Sequence, residues 1–213
     1  MKKKRGYLIW LVLPLVVVAA LLTVKDGDSE KPYAVEKPTS GPSSTGADGP
    51  ANERSPEHYV SQVRKYAREA RVDPTLLMAI LYNENNKPHE PELERAWQRF
   101  KPDAAFGIAN MHKAAFNETK DGRPFEGRRW EELPDDPGLA VRAAAWYLHD
   151  LARQLPSERS SDLSKSDLLA LGYNAGAGNM RLFAKGTKPG DTAASYLRRL
   201  HENWGKAQKA LES

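Results

Sequence analysis

From Val63 onward the apolar residues of this chain fall at helical spacing. Val63, Tyr66, Ala67 and Ala70 share one face, behind Ser55-Pro56, a capping residue followed by a proline of the first turn. The next stretch runs from Val72 to Asn86, V-D-P-T-L-L-M-A-I-L-Y-N-E-N-N. Asp73 suits an N-cap and Pro74 a first helical position. Leu76, Ile80 and Glu84 recur every fourth residue with Leu77 and Leu81 beside them, which predicts an apolar stripe ending in a carboxylate. Pro91 opens a short helix with Leu93, Trp97 and Phe100. Ala104 to Phe116 contains Gly107 and leads into a short helical piece. Gly122 to Pro134 reads as loop, where a small β-hairpin is the one strand element left open. Asp136-Pro137 caps the longest expected core helix, with Ala140, Ala143, Ala144, Tyr147 and Leu151 inward. Ser164 begins a helix carrying Leu168, Leu169 and Leu171, expected to end near Tyr173-Asn174-Ala175-Gly176 with Gly176 in the left-handed region. Asp191 is expected to cap the last helix, with Tyr196, Leu197, Leu200 and Trp204 inward. No alternating strand pattern and no internal repeat occurs, so the pattern predicts an all-α domain.

The start of the chain has a different pattern. Lys2, Lys3, Lys4 and Arg5 precede an uncharged apolar run from Tyr7 to Val24. At roughly 18 residues this run is near the lower limit for a transmembrane helix. The basic cluster would remain in the cytoplasm and place everything after Val24 outside. A cleaved signal peptide, followed by secretion, is the competing reading, because Ala19 and Ala20 are small. The uncleaved anchor is preferred because Leu21 and Leu22 continue the run past the alanines. Residues 25–54 are crowded with Pro, Gly, Ser and Thr and lack a hydrophobic period, which reads as a disordered linker. The expected organisation is therefore an anchor over 1–24, a linker over 25–54 and a folded domain over 55–213.

Composition adjusts this picture only slightly. Of 213 residues, 40% are hydrophobic and 28% charged, ordinary values for one globular core beside appendages. There is no Cys, which excludes disulfides and thiolate metal sites and leaves an exported domain to be held by packing. The net charge of +4 suits an anionic partner, but part of it sits in the N-terminal tail. No nucleic-acid motif accompanies it, so nucleic acid is not expected as a partner.

Glu84 is the candidate with chemistry. On a core-facing row at a helix C-terminus, both desolvation and the helix dipole favour the neutral carboxyl, as a general acid requires. The competing reading has Glu84 frayed from the last turn and pointing at water.

Three segments carry a resemblance. V-D-P-T-L-L-M-A-I-L-Y-N-E is followed by F-G-I-A-N-M and then by L-L-A-L-G-Y-N-A-G-A-G-N-M. In this order they resemble the catalytic domain of lytic transglycosylases, the goose-type-lysozyme-like family that cleaves peptidoglycan, over roughly Ser55 to Trp204. The resemblance implies a lysozyme-like helical fold, with Glu84 as the catalytic acid. It implies substrate contacts from Asn85, from Gly107, Ile108 and Asn110 of the glycine-led motif, and from Asn174, Ala175 and Gly176. The family usually has serine where Asn85 stands and glutamine where Asn110 stands, departures that touch substrate contacts more than chemistry. Goose-type lysozymes carry an acidic residue just after the glycine motif, where this chain has His112. Asp103 and Glu94 are the nearby reserves for a second carboxylate, and both are read as solvated charges.

The same resemblance implies cleavage of the β-1,4 bond between N-acetylmuramic acid and N-acetylglucosamine. Glu84 would protonate the glycosidic oxygen, then take the proton from the sugar's 6-hydroxyl as that oxygen closes onto the anomeric carbon. A 1,6-anhydromuramoyl end results, with no water, metal or cofactor required. Tyr173 is expected to hold Glu84 by a phenol hydrogen bond. Asn174 either faces the substrate or braces the turn. Trp97, Trp130, Trp146 and Trp204 could line a saccharide groove, although core packing is the commoner use of such residues. The alternatives are a lysozyme-type hydrolase of the same bond and a non-catalytic wall-binding protein. Expected partners are peptidoglycan glycan strands and, through the anchor, the cell membrane.

Overall fold

The structure, a computed structural model, describes residues 55–85, 91–101 and 104–213. The anchor and linker readings for 1–24 and 25–54 lie outside the described residues, as does Asp103. Among the described residues no helix is long and apolar enough to cross a membrane. They form seven helices: α1 (Val60–Ala70), α2 (Pro74–Glu84), α3 (Pro91–Phe100), α4 (Lys113–Lys120), α5 (Pro137–Gln154), α6 (Lys165–Ala184) and α7 (Asp191–Glu212). The strands are two residues each, β1 (Ala105–Phe106) and β2 (Met111–His112), antiparallel with Ala105 opposite His112 and Phe106 opposite Met111. The expected all-α class is what is observed.

The α2 helix forms the centre of the domain. Asp73 caps it by accepting from Thr75 N–H at 2.8 Å, and every residue from Leu76 to Asn83 is buried. The expected single stripe is instead a helix buried all round, because α7 and α1 cover it along with α5 and α6. The α5 helix is capped by Asp136, which accepts from Leu139 N–H at 2.9 Å, and it packs Ala140, Ala143, Ala144 and Leu151 into the core. At 18 residues it is shorter than α6 and α7, with 20 and 22.

Four other expectations are corrected. The α6 helix begins in a Ser164–Asp167 capping box but does not end at the Tyr173–Gly176 motif. Gly176 adopts φ 83° and ψ 160°, a kink after which the helix resumes to Ala184. Gly190, not Asp191, precedes α7, and Asp191 is its first helical residue, where its charge suits the dipole. The hairpin lies at the glycine-led motif rather than between Gly122 and Pro134, where turns lead to a short 3-10 segment over Trp130–Glu132. Finally, α3 turns its apolar row outward, with Leu93 56%, Trp97 51% and Phe100 80% exposed. Its one buried side chain is Gln98, so periodicity revealed an amphipathic helix but not which face it turns inward.

Candidate active site

Glu84 is the last residue of α2, half-buried, with Asn85 as the C-cap. Both of its carboxylate oxygens are held. Asn110 Nδ2 donates to Oε2 at 2.9 Å, and the Tyr196 hydroxyl donates to Oε1 at 2.9 Å. Both of these donors are neutral groups, and each fixes the direction of one carboxylate oxygen.

Each donor is itself fixed by neighbouring structure. Tyr196 lies on the buried face of α7, where its backbone carbonyl accepts from Asn83 Nδ2 at 3.1 Å. Asn83 in turn accepts from Asn203 Nδ2 at 2.9 Å, so a polar seam joins the end of α2 to α7 beside the carboxylate. Asn110 closes the 107–110 turn between β1 and β2, donating its N–H to Gly107 O at 2.8 Å with φ 45°. Gly107 has φ 72°, and a Cβ there would stand 2.8 Å from Leu133 O, so only glycine fits. Its N–H donates to a Glu94 carboxylate oxygen at 2.9 Å. Ile108 and Ala109 are buried beneath the turn, and Trp130 secures its exit by donating indole N–H to Met111 O at 2.8 Å.

The expected bond from Tyr173 to Glu84 is made by Tyr196 instead. Tyr173 gives its phenol proton to Ala109 O at 2.6 Å, because the 107–110 turn brings that carbonyl to it. It remains within the field of the carboxylate. Burial, then the charge of Glu84, then Tyr147 push the Tyr173 phenol well above the ordinary range. Burial likewise raises Tyr196 well above it, with the charge of Glu84 and its bond to Glu84 adding to the effect. Both phenols are therefore donors throughout the neutral range.

Beside this group lies a pocket of about 260 Å³ with Asn110, Tyr147, Tyr173, Asn174, Ala175 and Gly176 among its walls. The Tyr147 and Tyr173 rings meet there at 5.5 Å, and Asn174 stands exposed at the rim. Open space around Gly176 lets the kinked backbone form part of the wall. The structure thus brings Glu84, Asn110, Tyr173, Asn174, Ala175 and Gly176 to one place. It puts Gly107 and Ile108 underneath as support and Asn85 at the end of α2.

The tryptophans divide differently. Trp130 is core, packed edge-on against Phe106 at 5.2 Å. Trp146 donates to Glu69 at 2.9 Å beneath the Arg123 guanidinium, Trp204 is half-buried on α7, and Trp97 is exposed on α3 under Lys101. His112 is an exposed residue of β2 on the pocket wall. Glu94, read from the sequence as a solvated charge, is half-buried and bonded to the turn.

Two contributors escaped the sequence reading. Tyr196 was placed only as a core residue, yet a buried phenol needs a partner, and that need was the available signal. The bond from Gly107 to Glu94 joins residues 13 positions apart across the β1 turn and has no signature in spacing.

The model of the transglycosylase SLT domain matches residues 61–196, which take in Glu84, Asn110, Tyr173, Asn174 and Tyr196. No curated protein matches the sequence.

Proposed function

The chain belongs to the transglycosylase SLT domain family, whose activity is lytic-transglycosylase-type cleavage of peptidoglycan, and from that premise we propose a non-hydrolytic route with Glu84 as acid and then base. The bond broken is the β-1,4 link between N-acetylmuramic acid and N-acetylglucosamine. Glu84 passes its proton to the glycosidic oxygen as the bond lengthens and charge develops at the anomeric carbon. The resulting carboxylate takes the proton from the muramoyl 6-hydroxyl, whose oxygen closes the 1,6-anhydro ring. Atoms balance without water, and the residue ends protonated as it began.

The observation that carries this reading is the two-point hold on Glu84 by Asn110 and Tyr196 next to the Tyr147–Tyr173 pocket. A residue that gives a proton at one oxygen and takes one from a second position needs fixed orientation more than a shifted charge. Glycosidases that use an enzyme nucleophile or a base-activated water need a second carboxylate at a set distance. Glu94, one of the two sequence candidates for that role, is turned to the Gly107 amide. Substrate contacts from Asn85, Asn174, Ala175 and Gly176 belong to the same proposal.

The apolar run of residues 7–24 and its tetrabasic flank support a single-pass membrane anchor. The linker of 25–54 then gives the domain reach toward the wall. Fractionation of cells making the full chain tests this: membrane association is expected, whereas mature protein beginning near Leu21 in the medium would establish a cleaved signal. Digestion of purified peptidoglycan with product analysis tests the reaction: 1,6-anhydro ends are expected, and reducing ends would mark a hydrolase.

A further inference from the structure

The turn that reaches Glu84 is held from outside at three points. Trp130 donates to Met111 O, Tyr173 donates to Ala109 O, and Gly107 donates its own N–H to Glu94. The third differs in kind. Its acceptor is charged, which makes such a bond roughly twice as strong as a neutral one. It also comes from α3, a helix that burial does not place, since its large apolar side chains stand in solvent. Polar contacts dock α3 instead: Glu94 to Gly107 at 2.9 Å, Arg95 to Asp135 at 2.6 Å, and Gln98 to the Trp130 carbonyl at 3.5 Å.

Gly107 is also where a small displacement would travel furthest. Its Cα already sits so close to Leu133 that no side chain fits, so the turn has no slack on that side. Its carbonyl accepts from Asn110 N–H, and the Asn110 side chain donates to Glu84. From the Glu94 carboxylate to the Glu84 carboxylate the path is therefore one four-residue turn with a hydrogen bond at each end.

We propose that Glu94 is a positioning residue of this site: its carboxylate pins the Gly107 amide and so sets the direction in which the 107–110 turn aims Asn110 at Glu84. The proposal rests on Glu84 being the acid. Glu94 moves no proton in this scheme. It serves as an acceptor for a backbone N–H, so what the turn requires is an oxygen at that place, and the charge only strengthens a bond that a neutral amide oxygen also makes.

The test compares Glu94→Gln and Glu94→Ala in the full chain on purified peptidoglycan, with kcat and KM resolved and folding followed by circular dichroism. Glu84→Gln is run in parallel. Glu94→Ala is expected to lower kcat about 10-fold or more with KM nearly unchanged, because misplacement on the order of 1 Å costs up to about 10² in rate. Glu94→Gln, which keeps an acceptor oxygen, is expected to restore most of that loss. If the Gln variant folds yet is as slow as the Ala variant, the charge is what matters and the proposal is overturned. A rise in KM with kcat intact overturns it as well, by placing Glu94 at the substrate. Should Glu94→Ala not fold, Glu94→Gln decides alone: near-native kcat supports the role and lost kcat removes it. Native turnover in Glu84→Gln would defeat the acid assignment itself, a failure distinct from any within the Glu94 pair.

Discussion

Glu84 and Tyr196 lie 112 positions apart and meet at 2.9 Å, a contact that governs what each substitution should do. Glu84→Gln keeps shape and polarity but removes the titrating proton. Turnover should fall at least by the roughly 10² to 10⁴ that general acid–base assistance is worth, with binding retained. Tyr196→Phe removes the donor at Oε1 and leaves Asn110 at Oε2. It is expected to cost about 10-fold or more in kcat through lost orientation, with little change in KM. Tyr173→Phe acts one step further out, through Ala109 O, and should cost less than Tyr196→Phe; the reverse order in a kinetic comparison would contradict this geometry. At this scale the sequence pointed to the carboxylate of Glu84, because a helix of apolar residues ending in a carboxylate is an unusual local event. It was uninformative about the partners of Glu84, because a phenol on the inward face of a distant helix looks like any other core tyrosine.

Among the elements, the hairpin shows where local chemistry outruns periodicity. Gly107 needs φ 72° and has Leu133 O against the place of a Cβ at 2.8 Å. Gly107→Ala therefore adds backbone strain of roughly 1–3 kcal/mol and a steric clash. For a domain of this size each kcal/mol lowers the melting temperature by about 2–4 °C. The expected variant is folded, several degrees less stable and much slower, since the turn that carries Asn110 must shift; unchanged melting and turnover would show that the turn is tolerant. The helices themselves were readable from caps and spacing, as Asp73-Pro74, Asp136-Pro137 and Ser164 all show. The hairpin was not, because strands of two residues carry no alternation to detect. Nor was the facing of α3, whose Leu93, Trp97 and Phe100 have the spacing of a buried stripe. Its placement depends on Glu94, Arg95 and Gln98 finding partners far along the chain.

On the scale of the molecule, burial acts in one direction on the phenols of the core and of the site. Tyr82, Tyr147, Tyr173 and Tyr196 are all raised above the ordinary phenol value, in each case first by burial and then by nearby carboxylates. The native state thus keeps protons that the unfolded chain releases above about pH 10. Stability from this source is complete below that pH and is lost as pH rises above it. Chemical denaturation across pH 8 to 11 (roughly, the window around an ordinary phenol) should show a decline beginning near its upper end. In Tyr196→Phe that decline should be shallower; an equal slope in both proteins would contradict the assignment. The all-helical architecture could be read from the chain because helices are built from local spacing. The site assembles from α2, the hairpin, α6 and α7; the order of the three motifs pointed to the first three, and nothing in the sequence pointed to α7.

The central claim is that the substrate's own hydroxyl, not water, completes the reaction at Glu84. Mass spectrometry of the fragments released from purified peptidoglycan addresses it directly. The account predicts muramoyl ends lighter than hydrolysed ones by one water, formed by the native chain and absent with Glu84→Gln. Ends at the full hydrolysed mass, formed by the native chain, would contradict it.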